Sequence, residues 1–173
     1  MNKFLTGALT AMALAFSGSA VAETGDDSWP LTRFAWGAGV SSSIDMTGQD
    51  LSTFNIAAQF GYKNRVIQML GAGAGIDMAV GNSSSMYPVY AIIRTSFVPG
   101  DMRCFFEGRA GYSFNRMSAA GTHDGIYGSA SFGVNLAMGK NFRSHIVIGY
   151  TYRQLRDCYH DMSAVTAGIG INF

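Results

Sequence analysis

A chain of 173 residues and 18.5 kDa has room for one domain, and its formal net charge of +1 offers no general case for nucleic acid or another strongly charged partner. Charged side chains are only 13% of the residues, while 22 Gly, 10 Met and 13% aromatics weight the chain toward small and apolar groups. So little charge argues against an ordinary soluble domain, in which the share is roughly 25%.

The chain begins with a short basic start, Met1-Asn2-Lys3, followed by an apolar run from Phe4 to Phe16 and by small residues, with Ala20 and Ala22 in an A-x-A arrangement. This predicts a secretory signal peptide over residues 1–22, cut after Ala22. The run is too short for a membrane-anchoring helix, and no Cys lies near the cut for lipid attachment. Removing it takes away Lys3 alone among the charges, leaving 151 residues with 11 basic and 11 acidic side chains. Residues 23–32 are acidic and irregular, a lead-in to the folded part. After residue 22 there is no apolar stretch of about 18 residues, so strands are the remaining way to cross a membrane.

From Arg33 the sequence alternates with a period of two, which predicts strands. Phe34, Trp36, Ala38 and Val40 share one face of the first, against Ala35, Gly37, Gly39 and Ser41. The second sets Phe54, Ile56, Ala58, Phe60 and Tyr62 against Asn55, Ala57, Gln59, Gly61 and Lys63, and the third sets Leu70, Ala72, Ala74 and Ile76 against Met69, Gly71, Gly73, Gly75 and Asp77. The fourth, from Val89 to Phe97, puts Tyr90, Ile92, Arg94 and Ser96 on its polar side, and the fifth, from Cys104 to Phe114, puts Glu107 and Arg109 there. The sixth runs from Ile126 to Met138 and the seventh from Phe142 to Arg153, with His145, Thr151 and Arg153 on the polar side. The eighth carries Val165, Ala167, Ile169, Ile171 and Phe173 on one face. Eight strands of roughly 10–12 residues each reach across a bilayer when tilted, whereas soluble strands average about 5–6.

The connections alternate in length. Residues 63–65, 98–102 and 139–141 are tight turns rich in Gly, Pro and Asn, while longer polar stretches fall near 42–53, 79–87, 115–125 and 154–161. Phe34, Trp36, Phe60, Tyr62, Phe97, Phe142 and Phe173 lie toward the turn end of the apolar face, and Phe54, Phe114, Tyr150 and Tyr152 toward the loop end. Two aromatic belts, short turns at one end and long loops at the other describe a membrane-spanning barrel with periplasmic turns and outer loops. A soluble barrel would carry many Lys, Glu and Asp on its second face, where this chain has mainly Gly, Ala, Ser and Asn. The expected fold is therefore an all-β, eight-stranded, antiparallel up-and-down transmembrane barrel over residues 33–173.

On these residues the chain resembles the small eight-stranded outer-membrane β-barrel proteins, the OmpA- and OmpX-like group. The stretches Pro88–Arg94 with Phe97, Gly111–Phe114 and Gly149–Tyr152 are similar to strands of the outer-membrane β-barrel domain of Bacteroides-type bacteria. The resemblance implies the outer membrane of a Gram-negative cell, contact with its lipid and lipopolysaccharide, and insertion by the barrel assembly machinery, with Phe173 as the assembly signal. No domain follows residue 173, so peptidoglycan anchoring of the OmpA kind is not implied.

Inside a narrow barrel, function shows as inward charge. Parity places Arg94, Glu107, Arg109, His145, Arg153 and Gln59 in the lumen, and pairing Val98 with Arg103 across the turn sets Arg94 opposite Glu107. Eight strands leave an interior just wide enough for side chains, so this set reads as a polar network that fills the lumen. His123 and His160 fall in loops near Asp124 and Asp161, without the spacing of a zinc site, and neither metal nor cofactor is expected. Ser144 and His145 are strand neighbours on opposite faces and cannot act together, so catalysis is not expected. Cys104 and Cys158 sit at opposite ends, too far apart for a disulfide. The reading is a structural or surface-recognition protein acting through its outer loops, the extracellular ligand unspecified. A narrow porin-like channel and a lipid-modifying enzyme are the alternatives.

Overall fold

The structure, a computed structural model, describes residues 33–48, 51–64, 67–80, 83–98, 101–117, 121–139, 142–155 and 161–173. The expected signal peptide and lead-in, Cys158 and His160 lie outside the described residues.

Eight long strands form the wall: β1 (Arg33–Asp45), β2 (Thr53–Lys63), β3 (Ile67–Ala79), β4 (Ser85–Val98), β5 (Asp101–Met117), β7 (Gly125–Met138), β8 (Arg143–Arg153) and β9 (Met162–Asn172). The two-residue β6 (Gly121–Thr122) pairs only with β5, beyond the wall. Each long strand pairs antiparallel with its sequence neighbour, and β9 pairs with β1 to close the ring. The barrel has no free edge.

Its stagger follows from the register. One circuit runs from Phe34 through Tyr62, Leu70, Ile93, Gly108, Ala130, Tyr150 and Val165, and returns to β1 at Ile44, ten residues from its start. With a rise of about 3.3 Å per residue and strands about 4.8 Å apart, that stagger tilts the strands by about 40°.

The burial is that of a soluble protein turned inside out. Among the described residues, exposed large hydrophobics outnumber buried ones, and Arg94 and Arg153 head the largest fully buried side chains. The aromatics expected at the two ends do face outward, among them Phe34, Phe60, Tyr62 and Phe97 at the turn end and Phe54, Phe114 and Tyr150 at the loop end. Phe106 and Phe132, directly paired, also stand exposed near mid-strand.

Several strands run further than expected, at the turn end where β3 begins at Ile67 and β5 at Asp101, and by more at the loop end. β1 continues to Asp45, β4 begins at Ser85 and β5 reaches Met117. Pro88 lies inside β4, three residues from its start. The strand accommodates it because the β3–β4 ladder simply skips from Ala74↔Val89 to Asp77↔Met86 without a register shift, where proline has no N–H to give. Irregularities at the turn ends break the parity there. One between Ile67 and Met69 turns both Gln68 and Met69 inward, and one between Asn135 and Ala137 leaves Ala137 exposed instead of inward. A third, between Ser96 and Val98, pairs Val98 with Asp101 and not with Arg103.

Candidate functional site

The lumen holds the concentration of polar chemistry, and it is built in layers. In the β4–β5 ladder Arg94 lies opposite Glu107 and Ile92 opposite Arg109. The Arg94 Nε donates to Glu107 Oε2 at 2.8 Å, and its terminal nitrogen pairs with the same carboxylate. Glu107 Oε1 accepts from the Nε and a terminal nitrogen of Arg109, at 2.8 and 2.7 Å. One carboxylate therefore serves two guanidiniums. Each guanidinium also lies over a ring, Arg94 over Phe105 at 4.7 Å and Arg109 over Tyr90 at 5.1 Å, where the aromatic face favours a cation.

His145 extends the group around the wall. Its Nε2 is 3.5 Å from Arg94 and its Nδ1 is 3.4 Å from the Asn172 amide, and Gln59 reaches Asn172 at 3.5 Å. Gln59, Asn172, His145, Arg94, Glu107 and Arg109 thus form one chain of contacts across β2, β9, β8, β4 and β5. Arg153 stands apart from it. Its partner is Asp77 on β3, diametrically across the barrel from β8, and Asp77 also accepts from Asn55. The guanidinium of Arg153 lies 5.4 Å from the Tyr127 ring and touches the Met86 sulfur. A polar cavity of about 40 Å³, enough for a few waters, is lined from both groups by Arg109, His145, Asp77 and Arg153.

Both ends of the lumen are closed by side chains. At the turn end, Asn135 donates to Gln68 Oε1 at 3.2 Å and Gln68 donates to Ser96 Oγ at 2.9 Å, a bridge from β7 across to β3 and β4. At the loop end, Leu51, Met86, Leu155, Met162 and Ala164 pack into a buried apolar lid. Sequence parity missed Gln68, hidden behind its irregularity, and the lid leucines, which come from connecting segments. Asp77 was visible by parity as an inward acid, but no hairpin register points to a partner four strands away.

No known protein family and no curated protein matches the chain by sequence. Solved structures match by fold. The N-terminal β-barrel domain of Pseudomonas aeruginosa OprF aligns with a TM-score of 0.53 at 11% identity, over 80% of this chain and 97% of that one. The Yersinia pestis outer membrane protein Ail, solved in a phospholipid bilayer nanodisc, aligns with a TM-score of 0.50 at 14% identity, over 82% of this chain and 100% of that one. The chain has the fold of the small outer-membrane β-barrels. Identity this low leaves the lumen side chains to be argued from their own geometry.

The remaining residues singled out in the sequence fall elsewhere. Phe173 stacks on Trp36, with centroids 4.4 Å apart, and exchanges two backbone hydrogen bonds with it across the β1–β9 seam. His123 is buried in the loop after β5, where its backbone pairs with Asn115. Cys104 is a free thiol on β5. Ser144 and His145 are successive residues of β8, with only His145 buried in the lumen.

Proposed function

We propose that the protein is an integral outer-membrane barrel of a Gram-negative cell, with its turns toward the periplasm and a structural or surface-recognition role carried by the loops at the other end. The observation that carries this reading is an apolar exterior wrapped around a lumen plugged by ion pairs. On β7, outward apolar residues run from Ile126 to Met138, a length of about 30 Å along the barrel axis at the tilt above, which matches a bilayer's hydrocarbon core. Inside, Glu107 and its two arginines, the Gln68 bridge and the Leu51–Leu155 lid stand in the path a solute would take. Lumen polarity then rigidifies the wall, and the variable chemistry is left to the loops. No nucleophile and base are brought together at Ser144 and His145, so the reading is non-catalytic.

Planar-bilayer conductance of the refolded protein tests this. The expected result is insertion without stepwise conductance. Stable, resolved channel openings in the unmodified protein would replace the plugged barrel with a narrow porin-like channel.

A further inference from the structure

The turn-end mouth gathers cations away from the acids of the lumen. Arg33 and Lys63 are partners across β1 and β2, and Lys63 feels both Arg33 and Arg143 as like charges. Lys63 and Arg143 line one small cavity of about 20 Å³ on the turn side of the Gln68 bridge, with Asn172, Gly139, Phe142 and Gln68 around them. Both cations are half-buried, and neither has an acidic partner among the described residues. Deeper in the lumen every inward arginine is matched by an acid, Arg94 and Arg109 by Glu107 and Arg153 by Asp77. The mouth breaks that rule.

Like charges sharing a half-buried space repel, and long side chains at a chain turn are free to swing into water to avoid it. A purely structural role would be met by an acid or a neutral residue. What two converging cations with neutral amides beside them do well is hold an external anion. An arginine fork and a lysine ammonium together satisfy several oxygens of a tetrahedral group. Arg94, Arg109 and Arg153 share only the two acids Glu107 and Asp77, and that excess adds to the positive field at this end. The geometry points to a binding site for a phosphate group at the turn-end mouth, held by Lys63 and Arg143 with Arg33 beside them. Free phosphate and a phospholipid headgroup share that chemistry.

The test uses the full barrel refolded in a maltoside detergent, which brings no phosphate of its own, at low salt. It is titrated in separate arms with inorganic phosphate and with short-chain phosphatidylglycerol, heat of binding being recorded. At least one probe is expected to saturate at one site. Lys63→Gln combined with Arg143→Gln should weaken it about tenfold or more, whereas Arg116→Gln, at the exposed loop end of β5, should leave it unchanged. Saturation by inorganic phosphate alone assigns a free anion, and saturation by the lipid alone assigns a headgroup. If the double variant fails to fold by gel mobility, Lys63→Gln alone and the conservative Lys63→Arg take its place, the first weakening binding and the second keeping it. Failure of both probes to saturate, or equal binding by the charge-removed variant, overturns the proposal, and neither result bears on the conductance test above.

Discussion

Glu107→Gln removes the charge from the one carboxylate that two guanidiniums share, so it should cost more than losing either arginine. Glu107 is 1% exposed and Arg94 0%, so a stranded Arg94 is not rescued by water, while Arg109, 16% exposed, is rescued only in part. Breaking a buried pair by removing one partner costs roughly 3–5 kcal/mol, and here Arg94 and Arg109 are both affected. Arg94→Met is milder, about 1–3 kcal/mol, because Glu107 keeps both of its contacts to Arg109. The double variant should be less damaging than the two singles summed, by about 1 kcal/mol or more. Urea unfolding of the barrel in lipid vesicles, followed by tryptophan fluorescence and by heat-modifiable gel mobility, measures all three. A Glu107→Gln variant no less stable than Arg94→Met, or strictly additive losses, would show that the shared-carboxylate account is wrong.

Gly133→Ala should destabilise the barrel by roughly 1–3 kcal/mol, because a Cβ there runs into the Phe105 ring, whereas Gly128→Ala, with open space around it, should be near neutral; the same unfolding assay compares them. Phe132→Arg should cost roughly 2–4 kcal/mol and Met138→Arg, near the turn end, about 0–1, since the penalty for a lipid-facing charge falls off from the bilayer midplane. Equal costs at the two sites would contradict the assigned depth. Phe173→Ala removes the stack on Trp36 and should speed unfolding in vesicles while Phe173→Tyr does not; unchanged unfolding with Ala would mean that the stack does not hold the seam.

What could be seen in the sequence is what a period of two encodes. Alternation gave the eight wall strands, and counting across one tight turn set Arg94 opposite Glu107, although the turn itself closes at Val98–Asp101 through an irregularity. Parity is local, so it fails wherever a single extra residue is inserted: Gln68 and Ala137 were hidden for that reason. Contacts across the lumen are set by stagger and closure, which no hairpin reveals. Asp77 and Arg153 meet only because a ten-residue stagger brings β3 and β8 face to face at one height, and the lid needs Leu51 and Leu155 to fold in from connections. Pro88 fits inside β4 for a chemical reason, since a missing N–H is costly in a fully paired ladder and is tolerated where one ladder skips.

The central claim is that the exterior of this barrel faces lipid, and spin labels along β7 test it most directly. Labels at Ala130, Phe132 and Val134, on the outward face, should be open to oxygen dissolved in the bilayer and closed to a water-soluble quencher, while a label at the buried, inward Ser131 should be reached poorly by either. Shielding of positions 130, 132 and 134 from both reagents would mean that the apolar face is covered by protein, and the membrane barrel would be the wrong account.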